Sequence, residues 1–144
     1  MINKTLLCDT DFLISLQLAT ESTHQEAMEI YENNDEFVVL NITFWEVATV
    51  LSRKLTQDQA VATLERLQED FPNIIDFQSK DEQETFKMFK SFVKKNISFF
   101  DCACLIVAQK HGYKIASFDK FYPREILIRG TTIPKLTKIG RAHV

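Results

Sequence analysis

The chain has 144 residues, 45% of them hydrophobic, with 12 Phe but only 3 Gly and 3 Pro. That length suits one domain with a substantial core, and the composition excludes a low-complexity or disordered chain. A formal charge of −3, from 17 basic and 20 acidic side chains, excludes a protein that coats nucleic acid by bulk positive charge. It does not exclude an enzyme that holds nucleic acid through a metal and a few local cations.

No apolar run approaches the roughly 18 residues of a membrane span. Met1-Ile2-Asn3-Lys4 leads straight into a strand pattern, so no signal peptide is expected. Cys8, Cys102 and Cys104 sit in apolar runs without CxxC spacing, the pattern of buried reduced thiols in a cytoplasmic protein. The run Ile139-Gly140-Arg141-Ala142-His143-Val144 resembles the translation of a sequencing-adapter read-through. Residues 138–144 are therefore set aside as a non-native tail, which leaves one domain over residues 1–137.

In chain order, Thr5-Leu6-Leu7-Cys8 reads as a buried strand that breaks at Asp9-Thr10-Asp11 and gives way to a helix over residues 11–18. Thr23 with Glu26 three residues later has capping-box spacing for a second helix. Residues 36–40 form a second strand, and the next helix starts at Thr43 with Glu46 at its capping position. Thr56 and Gln59 open another helix in the same way. Residues 73–77 are a short strand, and residues 79–95 a helix with Phe86, Phe89 and Val93 as its apolar stripe.

Ser98 and Asp101 again match the capping spacing. They open the most apolar helix, which ends at His111-Gly112 with Gly112 placed for a left-handed cap. Residues 113–117 are a strand followed at once by Phe118-Asp119, and 126–128 with 131–133 add a last one. Alternating strands and helices make an α/β fold, with a mainly parallel central sheet of four to five strands and helices on both faces. Trp45 and most phenylalanines read as core, with an exposed few left for a partner or dimer surface.

Four acids stand near strand ends or helix starts: Asp9, Glu46, Asp101 and Asp119. Each has an ordinary explanation, as a helix cap for Glu46 and Asp101 or a turn former for Asp9 and Asp119. In a parallel sheet, however, such positions gather beyond the carboxyl ends of the strands, where ligands bind. Carboxylates about 4 Å apart repel by roughly 4 kcal/mol per pair at an effective dielectric of 20. A cluster of four therefore needs a cation or must take up protons. An all-oxygen donor set suits Mg²⁺ or Mn²⁺, and the Cys and His residues lack zinc-ligand spacing.

The stretches Leu7-Cys8-Asp9-Thr10-Asp11, Trp45-Glu46-Val47, Phe100-Asp101-Cys102-Ala103 and Ser117-Phe118-Asp119-Lys120-Phe121, in this order and spacing, resemble a PIN-domain ribonuclease, and within that family a VapC-type toxin. The resemblance implies a PIN-like three-layer fold and metal-dependent endoribonuclease activity. It implies that Asp9, Glu46, Asp101 and Asp119 hold one or two Mg²⁺ or Mn²⁺ ions, with Thr10 or Ser117 positioning a ligand. Asp11 either stands behind Asp9 or is an ordinary first-turn helix acid. The resemblance also implies an RNA substrate, a cognate antitoxin and a homodimer.

Lone His24 is expected to be structural. Arg53, Lys54, Lys110, Lys114, Lys120 and Arg124 are a scattered basic rim available to phosphates. Alternatives stay open: a PIN nuclease of RNA processing outside any toxin pair, an inactive PIN scaffold, a haloacid-dehalogenase-like phosphatase built on Asp9 and Asp11, or a receiver module using Asp76 and Lys135.

Overall fold

In the computed structural model, which describes residues 4–92 and 97–128, five short strands form one sheet. They are β1 (Leu6–Cys8), β2 (Phe37–Leu40), β3 (Ile74–Ile75), β4 (Lys114–Ala116) and β5 (Leu127–Ile128). Their order is β3-β2-β1-β4-β5, and every neighbouring pair is parallel. Leu7 lies opposite Val38 of β2 and Ile115 of β4, so β1 is the centre of the sheet. The chain leaves β1 toward β2 on one side and returns later to β4 on the other. That reversal makes the carboxyl end of β1 the switch point at which such sheets open a crevice.

Side chains alternate across the sheet with period two. Leu6, Cys8, Phe37, Val39 and Ala116 enter one core with α1 (Thr10–Gln17), α2 (His24–Glu32), α3 (Asn41–Lys54) and α4 (Gln57–Asp70). Leu7, Leu40 and Ile115 enter the other, against α6 (Phe99–His111) and the inner edge of α5 (Ser79–Ser91). Both faces are covered, which explains why the strands, apart from Lys114 at the start of β4, are apolar rather than alternating. The expected parallel α/β architecture in three layers is the one observed.

The caps explain where the element starts fall. Thr56 and Gln59 form the reciprocal box that opens α4, and Ser98 Oγ accepts from the Asp101 N–H at 3.0 Å. Gly112 takes φ +73°, the left-handed conformation in which a Cβ is strained, and closes α6.

Several expectations are corrected. Thr23 precedes α2 but makes no capping bond; its hydroxyl pairs with Ser15 instead. α3 begins at Asn41 rather than Thr43, because the Asn41 side chain accepts from the N–H groups of Ile42 (2.8 Å) and Phe77 (3.0 Å). Thr43 is buried with its hydroxyl 3.9 Å from Cys104 Sγ, so Glu46 falls in the second turn and caps nothing. On α5 the inward residues are Asp81 and Thr85, while Phe86 is 52% exposed. The Asp81 carboxylate binds Lys110 at 2.6 Å, so a polar clasp takes the place expected of a phenylalanine stripe.

Trp45 is no core residue; it stands 62% exposed on α3. All three cysteines are buried free thiols, as expected. The end of the fifth helix at 93–95, the strand at 131–133, Lys135, the domain limit at 137 and the tail at 138–144 lie outside the described residues.

Candidate active site

The carboxyl ends of β1 and β4 deliver Asp9 and Asp119, while α3 and α6 carry Glu46 and Asp101. Asp9 follows β1 directly, is buried, and accepts from the Phe12 N–H at 3.2 Å, so it also caps α1. Its backbone N–H donates to Ala116 O at 3.3 Å, holding it level with the end of β4. Burial, and after it the adjacent Asp11 charge, push the Asp9 carboxyl well above its ordinary range.

Asp11, one residue into α1, reaches across to the loop after β4. Its carboxylate accepts from Ser117 Oγ at 3.2 Å and from the Phe118 N–H at 3.1 Å. Ser117 Oγ in turn accepts from the Asp119 N–H at 3.0 Å, and Asp119 Oδ1 accepts from the Phe121 N–H at 3.0 Å. The loop that carries Asp119 is thus fixed to the first turn of α1. Asp11 and Ser117 shape the site through one another.

Thr10 Oγ1 donates to Glu46 Oε1 at 2.5 Å, tying α1 to the second turn of α3. Asp101 lies in the first turn of α6, and Tyr122 OH stands 3.5 Å from its Oδ1 as a donor. Burial, then the charge of Asp119, with that of Glu46 adding to it, raises the Asp101 carboxyl to about 6. Mutual repulsion between acids from α3, α6 and the β4 loop is therefore felt at one carboxyl.

Asp9, Thr10, Asp11, Glu46, Asp101 and Asp119 line a single cavity of about 470 Å³, which extends past them to Ile14, Ser15, Glu21, Thr23 and Val50. The two ion pairs among the described residues, Lys54–Glu21 and Lys110–Asp81, neutralise none of the four acids. Among the described residues, no group of three or more His, Cys, Asp or Glu side chains is arranged as a finished metal-ligand set. The donor chemistry still fits a hard divalent cation: the donors are all oxygen, and their repulsion is relieved only by positive charge or protons.

The four acids named from sequence therefore share one cavity; Thr10 bonds Glu46, and Asp11 and Ser117 bond the loop that carries Asp119. His24 is structural, with Nδ1 2.8 Å from Ser15 O. Of the basic rim, Lys110 is committed to Asp81, and Lys114 donates to Glu125 O at 2.9 Å. Lys54 pairs with Glu21 at the cavity's edge.

Tyr122 went unnoticed in the sequence, as did the wall formed by Ile14, Val50 and Thr23. A tyrosine in a loop carries no periodic signal. The wall residues carry a helical one that reads simply as core.

The PIN-domain family profile matches residues 6–124. Among solved structures, VapC20 of Mycobacterium tuberculosis, described as a sarcin-ricin loop cleaving toxin, is similar with a TM-score of 0.72 at 22% identity, over 81% of this chain and 91% of that one. VapBC2 of Rickettsia felis, solved with a promoter DNA fragment, matches with a TM-score of 0.62 at 17% identity, over 86% and 97% of the two chains. A toxin–antitoxin complex of Klebsiella pneumoniae matches with a TM-score of 0.62 at 19% identity, over 87% and 97%. Among curated protein sequences, none matches the chain significantly. These likenesses agree with the parallel sheet, and the family match spans β1 to β4 and all four acids: the chain belongs to the PIN-domain family.

Proposed function

We propose that this PIN-domain protein is a metal-dependent endoribonuclease that hydrolyses RNA phosphodiester bonds, and that it is the toxin of a toxin–antitoxin pair. The observation that carries the reading is the single cavity lined by Asp9, Glu46, Asp101 and Asp119, in which burial and then the charges of Asp119 and Glu46 raise the Asp101 carboxyl to about 6. Asp9, Asp101 and Asp119 would hold Mg²⁺ or Mn²⁺, and Glu46 would bind it or orient the attacking water. A cation bound there supplies a water of lowered pKa and charge to stabilise the phosphorane-like transition state.

The chain's own groups do the rest. The Thr10 hydroxyl fixes the rotamer of Glu46, leaving Oε2 for a water. Asp11 anchors the Asp119 loop through Ser117 and the Phe118 N–H. Tyr122 OH donates to Asp101 Oδ1.

The toxin assignment draws on the toxin and toxin–antitoxin structures that share the fold. It is supported as well by exposed apolar surface at Trp45, which borders cavities on both sides of α3 and offers an antitoxin a place to bind. Exposed Phe86, Phe89 and Phe92 favour a homodimer. No described helix is long and apolar enough to cross a membrane. A cytoplasmic site of action, with reduced thiols and RNA at hand, is part of the proposal.

One second reading has an observation behind it. The absence of a finished ligand set among the described residues favours a PIN scaffold that binds without cutting. Membership of the PIN family leaves no ground for the phosphatase or receiver alternatives, and Asp76 lies outside the acid-lined cavity.

Incubating total cellular RNA with the purified protein separates the readings. Discrete fragments in Mg²⁺ or Mn²⁺ that vanish with chelator and in Asp9→Asn and Asp101→Asn support the nuclease. RNA left intact by the folded wild type in either ion supports the scaffold.

A further inference from the structure

The cavity does not end with the acids. Along α3, Glu46, Val50 and Lys54 recur at every fourth residue and share one helix face. Along α1, Thr10 and Asp11 are succeeded one turn later by Ile14 and Ser15, which also line the cavity. One turn away from the carboxylates, then, both helices replace acid with aliphatic wall. The α1–α2 loop closes this second part: Thr23 Oγ1 meets Ser15 Oγ at 2.5 Å, and Glu21 at the rim pairs with Lys54 at 3.3 Å. The whole space, about 470 Å³, is on the scale of a small-ligand pocket rather than of one hydrated ion.

We infer that the slot between α1 and α3, walled by Ile14 and Val50 and bounded by the Ser15 and Thr23 hydroxyls, receives a nucleobase of the RNA. This rests on the ribonuclease reading and adds a specificity site to it.

The chemistry of the walls selects the occupant. A phosphate is repelled by Glu21 and by the four acids beside it. A wholly aliphatic group makes no use of the hydrogen-bonding capacity that the Ser15 and Thr23 hydroxyls keep beyond the bond they share. A nucleobase has apolar faces for Ile14 and Val50 and a polar edge for the hydroxyls and Glu21, and single-stranded RNA is read by bases splayed into such pockets. Lys54 at the mouth is placed for the next phosphate along the strand. The acids then act on the bond beside the seated base, so the slot sets where the strand is cut.

The test uses the full chain, with its Ile14 and Val50 methyl resonances assigned, in Mg²⁺. The four nucleoside 5′-monophosphates are compared with ribose 5-phosphate, which carries the same sugar and phosphate but no base. At least one nucleotide is expected to shift the Ile14 and Val50 methyl signals where ribose 5-phosphate leaves them in place. Val50→Phe, which fills the slot, is expected to remove that difference and to raise KM for RNA by about fivefold or more, with kcat changed less.

Equal shifts from ribose 5-phosphate, no shifts from any nucleotide, or unchanged KM and cut sites in a folded Val50→Phe protein overturn the slot. The nuclease reading survives those results. Nucleotide-specific shifts in a protein that cuts no RNA support the slot and count against the nuclease.

Discussion

Asp101 is the residue at which the site's electrostatics are most plainly felt. With its folded pKa raised from 3.8 to about 6, it holds more proton in the folded than in the unfolded chain between those values. Its contribution to stability is therefore full below about 3.8 and is lost as pH rises through about 6. In chelator, the melting temperature of the wild type is predicted to fall over this window more than that of Asp101→Asn. Mg²⁺ should restore the wild type more at pH 7 than at pH 5. Parallel slopes for the two proteins in a thermal-shift series would contradict this.

Tyr122 carries a second prediction at the same scale. Tyr122→Phe keeps the buried ring but removes the donor to Asp101, and should weaken Mn²⁺ binding about threefold to tenfold with little change in melting temperature. Titration calorimetry on the variant checks it.

The contrast between these residues shows what a sequence reveals about a site. Asp9 and Asp119 were legible because each ends an apolar strand. Glu46 was legible as an acid near a helix start, but its place in that helix was not, since Thr43 and Glu46 have capping spacing while Asn41 in fact starts the helix. Tyr122 was not legible, because only the folded loop after β4 brings it to Asp101.

Among the elements, α5 departs furthest from its pattern. Phe86 and Phe89 have helical spacing for a core face, yet Asp81 and Thr85 are the buried side chains. The helix is held to α6 by the bond from Lys110 to Asp81 and by the Phe89–Phe99 edge contact at 5.9 Å. Lys110→Ala leaves a nearly buried carboxylate without its cation and should cost about 1–3 kcal/mol, read from chemical denaturation. A loss below a few tenths would mean the clasp is ornamental.

On α3 the correction is the opposite one, an aromatic on the outside. Trp45 is the single tryptophan, so its fluorescence reports on that face alone. Acrylamide is predicted to quench it readily in the folded protein, and Trp45→Ala should leave stability within about 0.5 kcal/mol. Blue-shifted, protected emission would return Trp45 to the core. Hydrophobic periodicity marks which residues repeat on a helix face. It does not say whether that face meets this chain or another.

For the molecule as a whole, parallel pairing was legible because the strands are apolar on both faces, and that requires helices above and below. The strand ends were less legible: β3 and β5 have only two residues each, too few for any pattern. The topology does the functional work. By placing β1 between β2 and β4, it draws together acids separated by up to 110 residues along the chain, and the links from Thr10 to Glu46 and from Asp11 to Ser117 hold their carriers in register.

As proposed, these four acids form one divalent-cation site. Titrating Mn²⁺ into the wild type and into Asp9→Asn, Glu46→Gln, Asp101→Asn and Asp119→Asn, each shown to be folded, tests it most directly. Saturable binding by the wild type is expected, with affinity lost or sharply reduced in Asp9→Asn and Asp101→Asn and weaker binding in the other two. A wild type that binds no ion, or variants that all bind as it does, would contradict it.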